Sequence, residues 1–377
     1  TPAMQDGEPK FSKQLAGFIT AGLFLLHPLQ TEAVTYVIQR TESMAGMFYL
    51  ATLYFYVRAR LEGKRKIALG YFLLAGCGAL GAAISKATSV TLPAMIVAFE
   101  LFLFDTSMRN LLRKKLVLLF LVPVAIILFF KLAPLIQKDF FYDPRVGHTR
   151  KEYFLTQLSV LLTYLRLYFW PVNQNIDWDY PIASQFLALR TISSFLLLVA
   201  LIVLALFAFK RCRLVSLGIA AFFITLAPTS SIIPLHDVIF EHRMYIPVAF
   251  LAMGCVQVLI WGLEKVREFS LRGHHFALAT SMAALLLGLA TITHARNAVW
   301  VSSLSLWKDA VEKSPNKARP HNNYGSALYK LGMTMTEAAK REFEVANKIS
   351  PEWEVPWHNL ALAYFEEGDY QRAIEFD

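Results

Sequence analysis

Long, predominantly apolar runs recur along this chain, at Leu116–Phe130, Phe195–Phe209, Tyr245–Leu263 and Phe276–Thr293. A helix needs roughly 20 such residues to cross ~30 Å of hydrocarbon. The bilayer core offers no water to bond a backbone, so a segment of this kind must satisfy its own N–H and C=O groups by coiling into a helix. Composition agrees with that reading. Of the 377 residues 56% are hydrophobic and only 17% charged, with a mean hydropathy of +0.43, a balance that ordinary soluble domains do not show. The expected fold class is all-α, a polytopic helical membrane protein.

The formal charge of +9 does not point to nucleic acid, because the basic residues sit in short loops between apolar runs, the pattern of cytoplasmic anchoring. Arg58–Lys66, Arg109–Lys115, Lys210–Arg213 and Glu264–Arg272 are read as cytoplasmic. Spans then fall at about 12–27, 43–60, 67–84, 89–107, 116–136, 188–209, 214–229, 244–263 and 274–293. This parity puts 1–14 in the cytoplasm, the membrane domain at 15–296, and the segment from 297 onward outside. The outer-face loops are 28–42, 137–187 and 230–243. Phe154–Trp170 is apolar enough to cross, but a crossing would export Lys210–Arg213. It is read as a helix along the outer face, with Arg166 and the aromatics Tyr164, Tyr168, Phe169 and Trp170 at the interface. Residue 1 is Thr and no signal peptide precedes the first span, so the chain is expected to begin in mid-protein. Cys77, Cys212 and Cys255 have neither a disulfide-framework nor a metal-site spacing.

After Trp300 the sequence turns amphipathic and repeats itself. An offset of 36 carries Asn323 to Asn359, Ala327 to Ala363, Tyr329 to Phe365, Gly332 to Gly368 and Pro315 to Pro351. This resembles the tetratricopeptide repeat, in which small residues let two helices pack closely and a proline closes the unit. Repeats occupy 297–377, the two extra residues over the usual spacing fall in Met333–Thr336, and further repeats are expected beyond Asp377. Leu304–Pro315 is read as the second helix of a preceding half-repeat.

Four outer-face segments carry polar residues that a lipid-facing composition does not explain. In the segment from His27 to Ser43, Glu32, Arg40 and Glu42 stand out. If Thr31 caps a helix starting at Glu32, Glu32 and Arg40 lie about 80° apart around it. A carboxylate beside a guanidinium suits proton abstraction and phosphate binding, or equally a salt bridge tying two span ends. Lys86 lies alone in a turn between two spans, to snorkel or to bind an anion. Trp170–Pro181 interleaves aromatics with Asn173, Asn175, Asp177 and Asp179. That composition suits a sugar, an interfacial aromatic belt or, through its D-x-D, a divalent metal. Ile233–Pro247 holds His236, Asp237, Glu241, His242 and Arg243, a guanidinium placed to clamp a phosphate with Glu241 to orient it.

Taken in order, HPLQTEAVTYVIQRTES, the lone SK turn, WPVNQNIDWDYP and EHRMYIP, followed by the repeats, resemble the TMTC family (transmembrane and tetratricopeptide-repeat-containing proteins), and its bacterial relatives most closely. The resemblance runs from about Leu15 to the end. It implies a GT-C-like membrane glycosyltransferase acting on the periplasmic or lumenal side. Such an enzyme moves a mannose-like sugar from a polyprenyl-phosphate donor to a protein hydroxyl or glycan acceptor held by the repeats. By that resemblance Glu32 and Glu42 are candidate catalytic carboxylates. Arg40, Lys86 and Arg243 bind the donor phosphate, and Asp177, Asp179, His236 and Glu241 border the sugar or acceptor. No cofactor beyond a divalent metal is implied. The partners are membrane lipid, the lipid-linked donor and acceptor polypeptide, without nucleic acid. The chain departs from the family at Ala87, where an acidic residue usually follows the lysine. The family's main carboxylate is also expected upstream of residue 1. The expected location is the bacterial inner membrane with periplasmic repeats, or the endoplasmic reticulum membrane in a eukaryote. The competing function is a non-enzymatic scaffold, its repeats recruiting partners to the membrane.

Overall fold

The structure, a computed structural model, describes residues 13–104, 122, 126, 147–231, 234–267, 274–332 and 336–376. The expected span 116–136, the loop Arg109–Lys115 and most of Met333–Thr336 lie outside the described residues. Every regular element among the described residues is helical. The chain divides into two compact units, 1–171 with 182–293 and 172–181 with 294–377.

The first unit contains α1 (Lys13–Leu25), α2 (Gln30–Thr35), α3 (Arg40–Leu61), α4 (Arg65–Ser85) and α5 (Leu92–Phe99), the last running into a π-helical turn at Glu100–Phe104. It continues with α6 (Arg150–Phe169), α7 (Leu189–Ala208), α8 (Arg213–Leu226), α9 (Tyr245–Arg267) and α10 (His274–Val299), whose last residues pass into the second unit. Five segments are long and apolar enough to cross a membrane: Arg65–Ser85, Ala87–Phe104, Leu189–Ala208, Glu241–Gly262 and Thr280–Val299. They correspond to five of the expected spans. Two more, α1 and α8, are apolar but shorter. The span expected at 43–60 is the 22-residue α3, whose apolar middle is flanked by Arg40, Glu42, Arg58 and Arg60. Their outward faces are lipophilic, with Leu196, Leu197, Leu204, Leu206 and Phe207 of α7 all exposed, as an apolar solvent requires.

Inside the unit, small residues allow close approach. A Cβ on Gly78 of α4 would lie 2.6 Å from Thr52 Oγ1 of α3, and one on Gly218 of α8 would lie 2.7 Å from the Phe250 carbonyl of α9. Tyr49, Tyr56, Leu92, Met95, Ile96 and Leu217 fill the space between these pairs.

The helix expected along the outer face at Phe154–Trp170 forms as α6, started by a Thr149 capping box, but it is packed inward. Tyr153, Tyr164 and Leu167 are fully buried, and only residues such as Arg166, Phe169 and Trp170 face out. The polar side chains Gln157, Tyr153 and Tyr164 explain the difference, since each bonds a backbone carbonyl of the segment before α9 or at the end of α8.

The second unit contains α11 (Ser303–Lys313), α12 (Ala318–Tyr329), α13 (Thr336–Ile349), α14 (Glu354–Glu366) and α15 (Tyr370–Phe376), successive helices packing on one another. Its core is Leu328, Ala339, Phe343, Leu360, Tyr364 and Ala373. The 36-residue offset has structural counterparts. Gly332 and Gly368 both take positive φ, +98° and +82°, just past the ends of α12 and α14, where a left-handed residue closes a helix. Ala327 and Ala363 are both buried. The unit also takes in 172–181, a portion of the expected outer loop.

Candidate functional site

The residues preceding α2 turn the chain sharply. His27 is buried, its Nε2 donating to the Tyr168 carbonyl at 2.8 Å and its Nδ1 accepting from the Leu29 N–H at 3.2 Å. The Tyr168 ring stacks on it at 5.1 Å. Burial holds this imidazole down at about 4, and the backbone bond offsets only part of that.

The helix begins at Gln30, and Thr31 Oγ1 caps nothing. At Tyr36 the backbone becomes extended (φ −75°, ψ 112°), a 3₁₀ turn follows at Val37–Gln39, and α3 starts at Arg40. This break corrects the expectation that Glu32 and Arg40 share one helix face. Arg40 is exposed, whereas Glu32 is buried and bonded elsewhere.

The partner of Glu32 is His242, 210 residues away. Its Oε2 accepts the His242 backbone N–H at 3.0 Å, and its Oε1 lies 2.7 Å from Nδ1. His242 belongs to the 3₁₀ turn Glu241–Met244, all four residues of which are buried. A carboxylate accepting both the main-chain and ring N–H groups of one residue fixes that residue in position.

Arg243, the next residue, is also buried. Its Nη1 donates to the Val238 carbonyl at 3.2 Å and its Nη2 to the Asp237 carbonyl at 3.0 Å. The Phe240 ring lies 5.2 Å from its guanidinium carbon, and the Tyr153 and Tyr164 side chains of α6 lie close beside it. Among the described residues no carboxylate pairs with it. Glu241, expected to orient Arg243, is buried and engaged in another interaction; the Val238 and Asp237 carbonyls orient the guanidinium instead. Gln157 Nε2 donates to the same Val238 carbonyl at 2.8 Å while its Oε1 is buried without a partner. Both amide atoms of Gln30 are likewise buried and unpartnered. Three elements thus assemble a buried polar centre with hydrogen-bonding capacity left over, which a polar ligand can take up.

Lys86 forms an ion pair with buried Glu42 and donates to Gln39 Oε1 at 2.9 Å. Its partner, which Ala87 could not be, comes from α3. A charge balanced in this way holds two helix ends together and has less left for an external anion.

Asp177 lies in the other compact unit. Its two oxygens are engaged by Arg319 and by Lys317, while Ser314 Oγ accepts the Asn175 amide and the Asp179 N–H and donates to the Asp177 carbonyl. Two cations on one carboxylate do not fit a metal site, so no metal step is derived from the D-x-D pair. Asp179 is exposed, as is His236, whose Nδ1 is 3.4 Å from Asp237 Oδ2. The structure therefore brings Glu32, Glu241 and Arg243 together in the first unit, whereas Asp177 and Asp179 belong to the second.

Sequence reasoning missed the role of His242, the α6 residues Tyr153, Gln157 and Tyr164, and a buried cluster in which Glu100 accepts from Tyr56 and from Arg60 Nε and Nη2. The signal for the last was present, since Glu100 is a carboxylate inside an apolar run, rarely placed there without a partner.

No family model and no solved structure matches the chain. Curated proteins do. The chain is 26% identical to "Protein O-mannosyl-transferase TMTC3" of Mus musculus and to that of Homo sapiens, each over 84% of this chain and 37% and 38% of those proteins. It is 24% identical to "Protein O-mannosyl-transferase TMTC1" of Homo sapiens over 93% of this chain and 44% of that protein. The chain thus spans less than half the length of these relatives.

Proposed function

We propose that this chain, TMTC-like by its similarity to those relatives over most of its length, forms a membrane body and helical repeats of a glycosyltransferase. It moves a mannose-like sugar from a polyprenyl-phosphate donor to a protein hydroxyl or glycan acceptor on the periplasmic or lumenal side. The observation that carries the reading is the buried Arg243 guanidinium, without a carboxylate partner among the described residues, beside the buried Glu32–His242 pair. Desolvating a cation is costly, and carbonyl and hydroxyl dipoles offset only part of that cost. A phosphate oxygen supplies the opposite charge at the place where charge grows as the phosphate leaves.

In this arrangement Arg243 holds the donor phosphate, and Gln30, Thr31 and Gln157 offer hydrogen bonds to sugar hydroxyls. The helical hairpins of the second unit, read as tetratricopeptide repeats, dock acceptor polypeptide. The test is transfer of labelled sugar from a polyprenyl-phosphate donor to an acceptor peptide by the purified full-length protein in lipid. Labelled peptide is the expected product. No product with any lipid-linked sugar, together with intact partner binding by the repeats, contradicts the proposal and favours the scaffold.

A further inference from the structure

We propose that the turn joining α3 to α4, together with the outer face of α4, binds one phospholipid with an anionic headgroup. The two helices pack as a hairpin, and the basic residues of its turn are not alike. Arg60 is engaged by buried Glu100. Arg58, Lys64, Arg65 and Lys66 are exposed and form no ion pair among the described residues. The one carboxylate near them, Glu62, accepts the Lys64 backbone N–H at 3.0 Å. Four cations against one carboxylate leave a patch that attracts an anion, and three of the four occupy consecutive positions where α4 begins.

Beside that patch α4 carries a groove of about 560 Å³, lined by Ile67, Gly70, Tyr71, Leu73, Leu74 and Cys77. The spacing of three and four residues makes these a stripe along one side of the helix. From Ile67 to Cys77 it rises about 15 Å, half of the ~30 Å hydrocarbon core and so the depth of one leaflet. The stripe starts at the residue after Lys66, which places the charged patch at its mouth. Gly70 leaves it open, since a Cβ there would meet nothing within 4 Å, and Ile67, Leu73 and Leu74 are exposed. At the rim the Arg58 guanidinium carbon lies 5.3 Å from the centre of the Tyr71 ring, and Nη2 donates to the Tyr71 hydroxyl at 3.1 Å. The other N–H groups of Arg58 remain for a bidentate grip on phosphate.

Charge and shape together select the occupant. A neutral lipid fills the groove and leaves the cations unmatched, and a soluble anion does the reverse. A second copy of this hairpin packed about a two-fold axis sets four more cations against these four. An anionic phospholipid satisfies both halves, its phosphate at Arg58 and Lys64–Lys66 and one acyl chain along Ile67–Cys77, and basic clusters at the end of a span attract such lipids. From Arg65 to Ser85 α4 rises about 30 Å, so the site is a bilayer's thickness from Lys86. It is separate from the donor phosphate proposed at Arg243, and its failure leaves the transfer reading untouched.

The test places the full-length protein in nanodiscs of phosphatidylcholine mixed with phosphatidylglycerol, extracts it into detergent and counts retained phospholipid by native mass spectrometry. Wild type is expected to retain one phosphatidylglycerol in preference to phosphatidylcholine. The triple change Lys64→Gln, Arg65→Gln, Lys66→Gln is expected to weaken retention about fivefold per cation, about 10²-fold in all. Gly70→Leu fills the groove at a position where a side chain meets no neighbour, and it is expected to abolish retention with the charge unchanged. Equal retention of the two phospholipids by wild type overturns the proposal, because the lipid is then ordinary boundary lipid. Retention unaffected by Gly70→Leu overturns the groove's part in it. A dimer that Gly70→Leu dissolves gives this face to a second copy instead. A Cys77 thiol that stays unreactive to an apolar maleimide in delipidated wild type shows the groove filled by protein, which also overturns the proposal.

Discussion

His27 shows how a single buried imidazole ties local folding to pH. Its folded value of about 4 lies below its ordinary 6.5, so between those values the unfolded chain binds more protons. Stability is therefore full above about pH 6.5 and lost as pH falls towards 4. A difference of that size corresponds to about 3 kcal/mol. His27→Gln preserves a donor for the Tyr168 carbonyl and cannot titrate. Unfolding in detergent across pH 4–7 should show wild type losing stability more steeply than this variant, and parallel curves would contradict the assignment. At the same scale, the types of the site residues were readable but not their partners. Glu32 and Arg243 are conspicuous in an apolar chain, but the bond from Glu32 to His242 closes over 210 residues, and no local spacing encodes such a contact.

At the scale of elements, helix periodicity and length made the helices legible, and their breaks were not. The segment after His27 reads as one helix because nothing in Glu32–Arg40 forbids it; the extended residue at Tyr36 and the 3₁₀ turn after it carry no local signal. The amphipathic repeats were readable to individual glycines, Gly332 and Gly368, because a positive φ at a helix end is a local requirement. The attachment of 172–181 to Lys313, Lys317 and Arg319 is again long-range. Among the helices of the first unit, Glu100 and Arg60 join α3 to the π-helical turn. Removing one member of a buried pair strands the other, at roughly 3–5 kcal/mol, whereas replacing both with apolar residues of similar size removes most of that cost. Glu100→Gln is thus expected to lower the thermal midpoint far more than the double change Arg60→Met, Glu100→Met. If the double variant is as unstable as the single one, the pair has a role beyond mutual neutralisation.

For the molecule as a whole, hydropathy foretold the class and composition located the change from membrane body to repeats. The number of crossings was less legible, because α3 carries charges at both ends and α1 and α8 are shorter than a bilayer is thick. Candidate donor-phosphate residues were dispersed over three segments in the sequence. Folding sorts them: Lys86 is paired with Glu42, Arg40 is exposed, and Arg243 is buried in a cage of neutral acceptors. In the proposed reaction Arg243 holds the donor phosphate during sugar transfer. The most direct test is the transfer rate from a polyprenyl-phosphate sugar for Arg243→Ala and Arg40→Ala beside wild type, each in full-length protein shown to be folded. The expected loss is about 10²–10³-fold for Arg243→Ala, in the range for removing one preorganised electrostatic donor, and less than about twofold for the exposed Arg40→Ala. Equal rates in all three proteins would contradict it.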